Sequence, residues 1–283
     1  MAERIWIGGS SGYENTWNHA ANWAGGVVPA PGDDVYLVET THAIAGFDAS
    51  ATALASVNVA ASMTGNIGSS SSRLRLRAER LRFDGRQAAA WIELGNGGAD
   101  ITEVQVSGTK STTAPITEGL HLSALDHVPV IYLRDGSMTI EADGAGTIGT
   151  VFAMGGSHRL LKACAALENM GANCTLAAGV TSVRNHAGTS VASGAATAAD
   201  VTITAGAVRW NAAGDITNEL MVFGGTFDAS ANPHAFTINA VRVFNGVVEC
   251  RAGLGQPMFS TPPRIHGRQG VIYVDAGRPL TIG

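Results

Sequence analysis

Residues 201–229 read VTITAGAVRWNAAGDITNELMVFGGTFDA, and residues 241–250 read VRVFNGVVEC. In both stretches apolar residues stand five and three places before a glycine and two and four places after it. Val201, Ile203, Val208 and Trp210 surround Gly206; Leu220, Val222, Phe227 and Ala229 surround Gly225; Val241, Val243, Val248 and Cys250 surround Gly246. Apolar residues at alternate positions line one face of a strand, whereas on a helix they would wrap around the axis. The glycine marks a bend whose backbone a side chain would hinder. Each unit therefore reads strand, bend, strand, loop.

The same template extends to Gly136, Gly156, Gly179 and Gly270, giving units roughly 19 to 27 residues apart. Before these glycines the inward columns hold Ile131 and Leu133, Val151 and Ala153, Cys174 and Leu176, and then Ile265 with Gly267 as the exception. After them come Met138 and Ile140, His158 and Leu160, Thr181 and Val183, and Ile272 and Val274. The column between is outward: Thr139, Arg159, Ser182, Arg209, Asp228, Glu249 and Tyr273. One unit cannot bury its own apolar face, so successive coils must stack with equivalent strands in parallel. The pattern predicts an all-β fold, a parallel, right-handed β-helix solenoid over residues 41–283 that is most regular over residues 128–275. A β-sandwich is the competing architecture, but it does not require equal offsets from a glycine in successive units. A composition with 36 glycines and only 6% aromatic residues suits narrow coils.

Residues 1–40 differ. They hold Trp6, Trp17 and Trp23 with Tyr13 and Tyr36, interleaved with turn residues and ending at Pro29, Pro31 and Gly32. This is expected to be an aromatic-rich N-terminal cap that covers the open edge of the first coil, or a docking module, with Val35 and Leu37 opening the first regular strand. Strands are expected at Leu54 to Val59, Leu74 to Phe83, Trp91 to Leu94, Ile101 to Val106 and Leu120 to Leu122. There Gly85 and Gly108 sit off the template. Residues 61–72 read as a mobile surface loop. Leu160, Ala163, Cys164 and Leu167 share a helical spacing, so a short helix over residues 159–170 competes with a strand there. Pro257, Pro262 and Pro263 imply a loop or changed path before the last repeat.

Arg73, Arg75, Arg77, Arg80, Arg82 and Arg86 crowd into one short segment and alternate with Leu74, Leu76, Leu81 and Phe83. This predicts a basic strand face fit for an acidic partner, or a solvated face paired with Glu79 and Asp84. Net charge of −5 argues against nucleic acid. Cys164, Cys174 and Cys250 lack metal spacing and read as small core residues, and the eight histidines show no ligand pattern. No metal, cofactor or catalytic site is therefore expected. Asp228 and Glu249 share an outward column on adjacent coils, next to Arg209, and are the best pair for acid–base chemistry on a polysaccharide. A surface charge ladder partly neutralised by Arg209 is the favoured reading, because no other carboxylate reinforces the pair in that column. No run of about 18 apolar residues exists, and the start lacks the apolar stretch of a signal peptide, so neither a membrane span nor export by that route is expected.

With the aromatic segment Trp6, Trp17, Asn22-Trp23, Pro29 and Gly32-Asp33 ahead of β-helical repeats, the chain resembles structural proteins of tailed-bacteriophage virions. The same segment is similar to the start of some secreted β-helical adhesins. The resemblance implies a non-enzymatic virion protein, a homotrimer assembled in the host cytoplasm that decorates or cements the head by binding the major capsid protein or other virion proteins. The expected docking residues are Trp6, Tyr13, Trp17 and Trp23 or Arg73, Arg75, Arg77, Arg80 and Arg82. The alternatives are a tail fibre, spike or adhesin that binds host glycan, and a polysaccharide lyase or hydrolase using Asp228 and Glu249.

Overall fold

Alternating apolar residues do form strands, and the strands stack in parallel as a β-solenoid. In the computed structural model, residues 2–38, 40–86, 88–109, 119–251 and 257–274 are described. The chain divides into two units, Met1–Gly149 and Thr150–Gly283.

In the first unit one sheet stacks β1 (Glu3–Trp6), β2 (Asp34–Leu37), the end of β3 (Asp48–Val59), the end of β4 (Leu74–Phe83), β6 (Glu103–Val106) and β8 (Val128–Leu133). Its inward column runs Trp6, Leu37, Val59, Phe83, Val106, Leu133, all buried. A second sheet stacks the start of β4 with β5 (Ala90–Gly95), β7 (Leu120–Ala124) and β9 (Ser137–Ile140), with Leu74, Ile92, Leu122 and Ile140 in one inward column. β4 thus serves both sheets and bends between Arg77 and Arg80. That bend is made by Ala78-Glu79 and not by glycine.

β1 precedes the strand at Val35, so Trp6 belongs to the first coil, and residues 7–33 form the cap between β1 and β2. Trp23 makes an antiparallel bridge to Trp6 along the outer edge of β1. Trp17 and Trp23 meet edge to face at 4.8 Å, Trp6 and Trp23 at 5.2 Å, and the Trp23 indole N–H donates to the Trp17 carbonyl at 2.6 Å. Asn22, fully buried, ties the turns together: its amide donates to the carbonyls of Tyr13 and Thr16 and its oxygen accepts from Ser10 N–H. Residues 61–72 are less detached than expected. Met63 and Ile67 are buried, and Ile67 bridges in parallel to Ile44 and Ala90.

In the second unit β12 (Cys164–Leu176) and β13 (Val180–Gly194) run through both sheets. The start of β13 stacks on β14 (Ala198–Ile203), β16 (Ile216–Val222) and β18 (Phe236–Val243). Its end stacks on β15 (Ala207–Ala212), β17 (Thr226–Asp228), β19 (Val247–Glu249) and β22 (Val271–Tyr273). The register aligns Gly206, Gly225, Gly246 and Gly270 as the template requires. It does not place Gly179 with them. Cys174 and Leu176 pair with His158 and Leu160 of β11 (Ser157–Leu160), which puts them after a bend, and Val183 pairs with Leu167 and Val201, which puts it before one. The bend belongs to Gly188, at φ +71°, where a Cβ would lie 2.3 Å from the Ala172 carbonyl oxygen. Residues 164–170 lie in β12, so no helix forms there. Ile265 likewise pairs with Val243, shifting the last unit and accounting for Gly267, and it is exposed.

Gly188 escapes the template because Asn185 and Ser190 occupy its inward positions. Both are fully buried, as is Asn169, the partner of Asn185 one coil before. The Asn169 amide donates to Asn185 Oδ1 at 2.9 Å, Ser190 donates to the same oxygen at 2.9 Å, and the Asn185 amide donates to the Ala205 carbonyl at 2.8 Å. Asn169 Oδ1 accepts from Ala172 N–H at 2.9 Å. The ladder supplies partners to main-chain groups that the corner removes from the strand pairing. An Asn185→Ala substitution strands several of these groups and is expected to cost about 2 kcal/mol, read as a lower midpoint in urea unfolding with little change in slope.

Candidate functional site

Trp6 of β1 and Trp17 and Trp23 of the cap are buried, at 0% to 4% exposure, and their rings pack together in the core of this region. Their ring faces are therefore turned into the interior and are not presented at the surface. Tyr13 is different: it is 53% exposed and stacks on His19 at 4.3 Å.

The arginine strand is not one basic face. Because β4 bends, Arg73, Arg75 and Arg77 lie on one sheet and Arg80 and Arg82 on the other. Acidic groups from neighbouring coils meet them. Arg73 reaches Asp143 at 2.6 Å and Ser123 at 3.0 Å; Arg75 holds Glu93 at 2.7 Å and Asp48 at 3.5 Å; Arg82 holds Glu103 at 3.0 Å. Arg77 packs against Gly97, and Arg80 stands in register between Ser56 and Glu103. On the first of these sheets Trp91 stacks on His121 at 5.1 Å, and His121 Nδ1 lies 2.7 Å from Glu141.

Asp228 and Glu249 are in register, with Arg209 before and Tyr273 after. One oxygen of Asp228 and both of Glu249 are already engaged. Asp228 Oδ1 accepts from the amide and hydroxyl of Ser230, and Glu249 takes a two-pronged contact from Arg251 at 2.7 and 2.8 Å. The hydrogen bond from Arg251 holds the Glu249 carboxyl below the usual range, the opposite of what a general acid needs. Burial pushes the thiols of Cys164, Cys174 and Cys250 up to about 12, so they are core groups at neutral pH. Among the described residues no three of His, Cys, Asp and Glu are placed to share a metal ion, and no helix is long and apolar enough to cross a membrane.

What the fold does bring together is the outer face of β1, β2, β3, β4, β6 and β8. Ile5, Tyr36, Asn58, Arg82, Gln105 and Tyr132 form one outward column across these strands. A groove of about 390 Å³ lies along it, with Tyr36 and Val38 at one end, Asn58 and Ala60 next, then Arg82 and Asp84, and Gln105 and Ser107 at the far end. Of these, sequence reasoning had singled out Arg82 alone as a site residue. The groove's charges are matched: Glu103 accepts from Arg82, and Gln105, in the amide orientation that satisfies both neighbours, donates to Glu103 and accepts from Arg134.

Asp33, in the Gly32-Asp33 motif, fixes the start of this face. It accepts from Arg4 Nε at 2.7 Å, Ala2 N–H at 3.0 Å and Ala30 N–H at 3.1 Å. The Arg4 hydrogen bond, aided by the two amides, holds its carboxyl below the usual range against the opposing effect of burial.

No protein-family model matches the chain, and neither the curated proteins nor the solved structures contain a significant match to it.

A depressed carboxyl pKa stabilises the fold above the ordinary carboxylate range, and the contribution is lost as pH falls through the depressed value. Arg4→Met is accordingly expected to lower the unfolding midpoint at pH 7, with the gap from wild type closing as the pH is taken below that range. A gap that persists undiminished in acid would show that Arg4 acts through packing alone.

Proposed function

We propose that this chain is a non-enzymatic structural protein of a tailed-phage virion that decorates or cements the head by docking on capsid subunits through its N-terminal cap. The observation that carries the reading is the cap's construction. Buried tryptophans and Asn22 make it rigid, while Ile7, Tyr13 and Val27 remain 46%, 53% and 45% exposed. A preorganised module with exposed apolar side chains loses little entropy on docking, and such side chains are the usual anchors of an interface. Elsewhere on the described surface several charges bind one another across coils, as in Arg75 with Glu93 and Arg242 with Glu219, and the exposed apolar side chains Met170, Phe223 and Ile265 lie on the second unit, away from the cap's sequence segment. Those pairs favour a scaffold over a reactive site. Location in the virion, the major capsid protein as partner and assembly as a homotrimer belong to the same proposal.

Purified protein mixed with undecorated capsids is expected to bind in a fixed ratio to capsid subunits, measured by co-sedimentation. Tyr13→Ala combined with Val27→Asp, both on the surface, should weaken binding at least tenfold, with only the small drop in unfolding midpoint that loss of the Tyr13–His19 stack entails. Wild-type protein that stays in the supernatant at every concentration would overturn the reading.

A further inference from the structure

We infer that the groove on the outer face of β2, β3, β4 and β6 is a binding site for a neutral oligosaccharide of about three sugar units. The inference goes beyond a structural role and stands whether or not the chain docks on a capsid.

The first argument is the pattern of unspent hydrogen-bonding capacity. Asn58 uses its amide hydrogens on the Val35 carbonyl and Ser56 Oγ, leaving Oδ1 as an acceptor with no partner among the described residues. Among the described residues Arg82 binds Glu103 through Nη2 alone, so its other N–H groups remain to donate. Asp84 binds Arg86 through Oδ1, and Oδ2 has no partner among the described residues. The hydroxyls of Tyr36 and Ser107, one at each end, can do either. Acceptors and donors thus lie side by side along the groove, Asn58 and Asp84 accepting and Arg82 donating. A sugar hydroxyl is itself both donor and acceptor, and a row of them is the ligand that uses such a mixture fully.

The second argument is the floor. Val38, Ala60 and the Tyr36 ring provide apolar surface at the β2 and β3 end of the groove, beside Asn58, as the C–H face of a pyranose requires. The third is length. Three rung spacings of about 4.8 Å give a groove of about 14 Å, and a pyranose advances its chain by roughly one rung, so equivalent hydroxyls would meet equivalent columns.

Charge selects a neutral ligand. Arg82 at the centre is bound to Glu103 and Asp84 is bound to Arg86, so the charged groups at the middle of the groove are each neutralised within the protein, and Arg134 at the far end is held by the Gln105 oxygen. A polyanion would have to displace these pairs. An extended peptide adding as a strand is disfavoured, because β2, β3, β4 and β6 already spend their main-chain groups on the coils above and below.

The test uses the whole chain with cellotetraose, maltotetraose, chitotetraose and, as the acidic control, tetragalacturonate, followed by titration calorimetry and saturation-transfer NMR. At least one neutral tetrasaccharide is expected to bind saturably, and tetragalacturonate at least tenfold more weakly. Ala60→Trp fills the middle of the groove and Asp84→Asn removes one acceptor charge without changing shape. Each should weaken binding at least tenfold, and Asp84→Asn keeps the test valid if the larger side chain disturbs folding. Absence of saturable binding to all three neutral sugars, equal binding of the acidic one, or wild-type affinity in Asp84→Asn would overturn the proposal. So would concentration-dependent self-association of the wild type that Ala60→Trp abolishes, since a second copy would then be the occupant.

Discussion

Hydrogen bonding between successive coils is the constraint on which everything else rests. Each strand pairs in parallel with the equivalent strand above and below, so a residue's nearest side-chain neighbours are its counterparts one coil away, about 4.8 Å off. Chemistry is therefore organised in columns. An inward column must be filled by groups that tolerate copies of themselves, as Trp6, Leu37, Val59 and Phe83 do. An outward column must alternate charge or share hydrogen bonds, as Arg75 and Glu93 do. The asparagine corner obeys the same rule with polar groups, Asn169 bonding directly to Asn185 in the next coil.

The legibility of the fold follows from how uniformly the columns are filled. From Gly206 to Gly270 each bend carries glycine, and the register agrees with the offsets counted in the chain except before Gly270, where Ile265 takes the place of Gly267. One coil earlier the count failed, because Asn185 and Ser190 stand where the pattern demands apolar residues, and Gly179 was close enough to replace Gly188. A buried amide ladder is invisible to a hydrophobic template. In the first unit the limits of β4 were read correctly at Leu74 and Phe83, yet its bend was not, since Ala78-Glu79 carries no turn signal. Hence six arginines looked like one face.

The groove was hidden for a related reason. Tyr36, Asn58, Arg82 and Gln105 are neighbours only when the register of four coils is known, and the early coils lack the glycine that would have supplied it. Arg82 was noticed for its charge, but its partner Glu103 and the polar groups beside it are distant in the chain. The cap shows the converse. Its tryptophans were conspicuous in sequence, and that same size and apolarity took them into the interior and left Tyr13 as the exposed ring.

Arg73 has a mechanical consequence. Its guanidinium leaves the start of β4 and reaches Ser123 in β7 and Asp143 beyond β9, so one side chain spans coils that the backbone joins only in series. Under tension along the stack, main-chain ladders can open one coil at a time, like a zipper. A clamp across several coils adds its own contacts to those openings, so separating β4 from β9 breaks the Arg73 contacts together with the rungs between them.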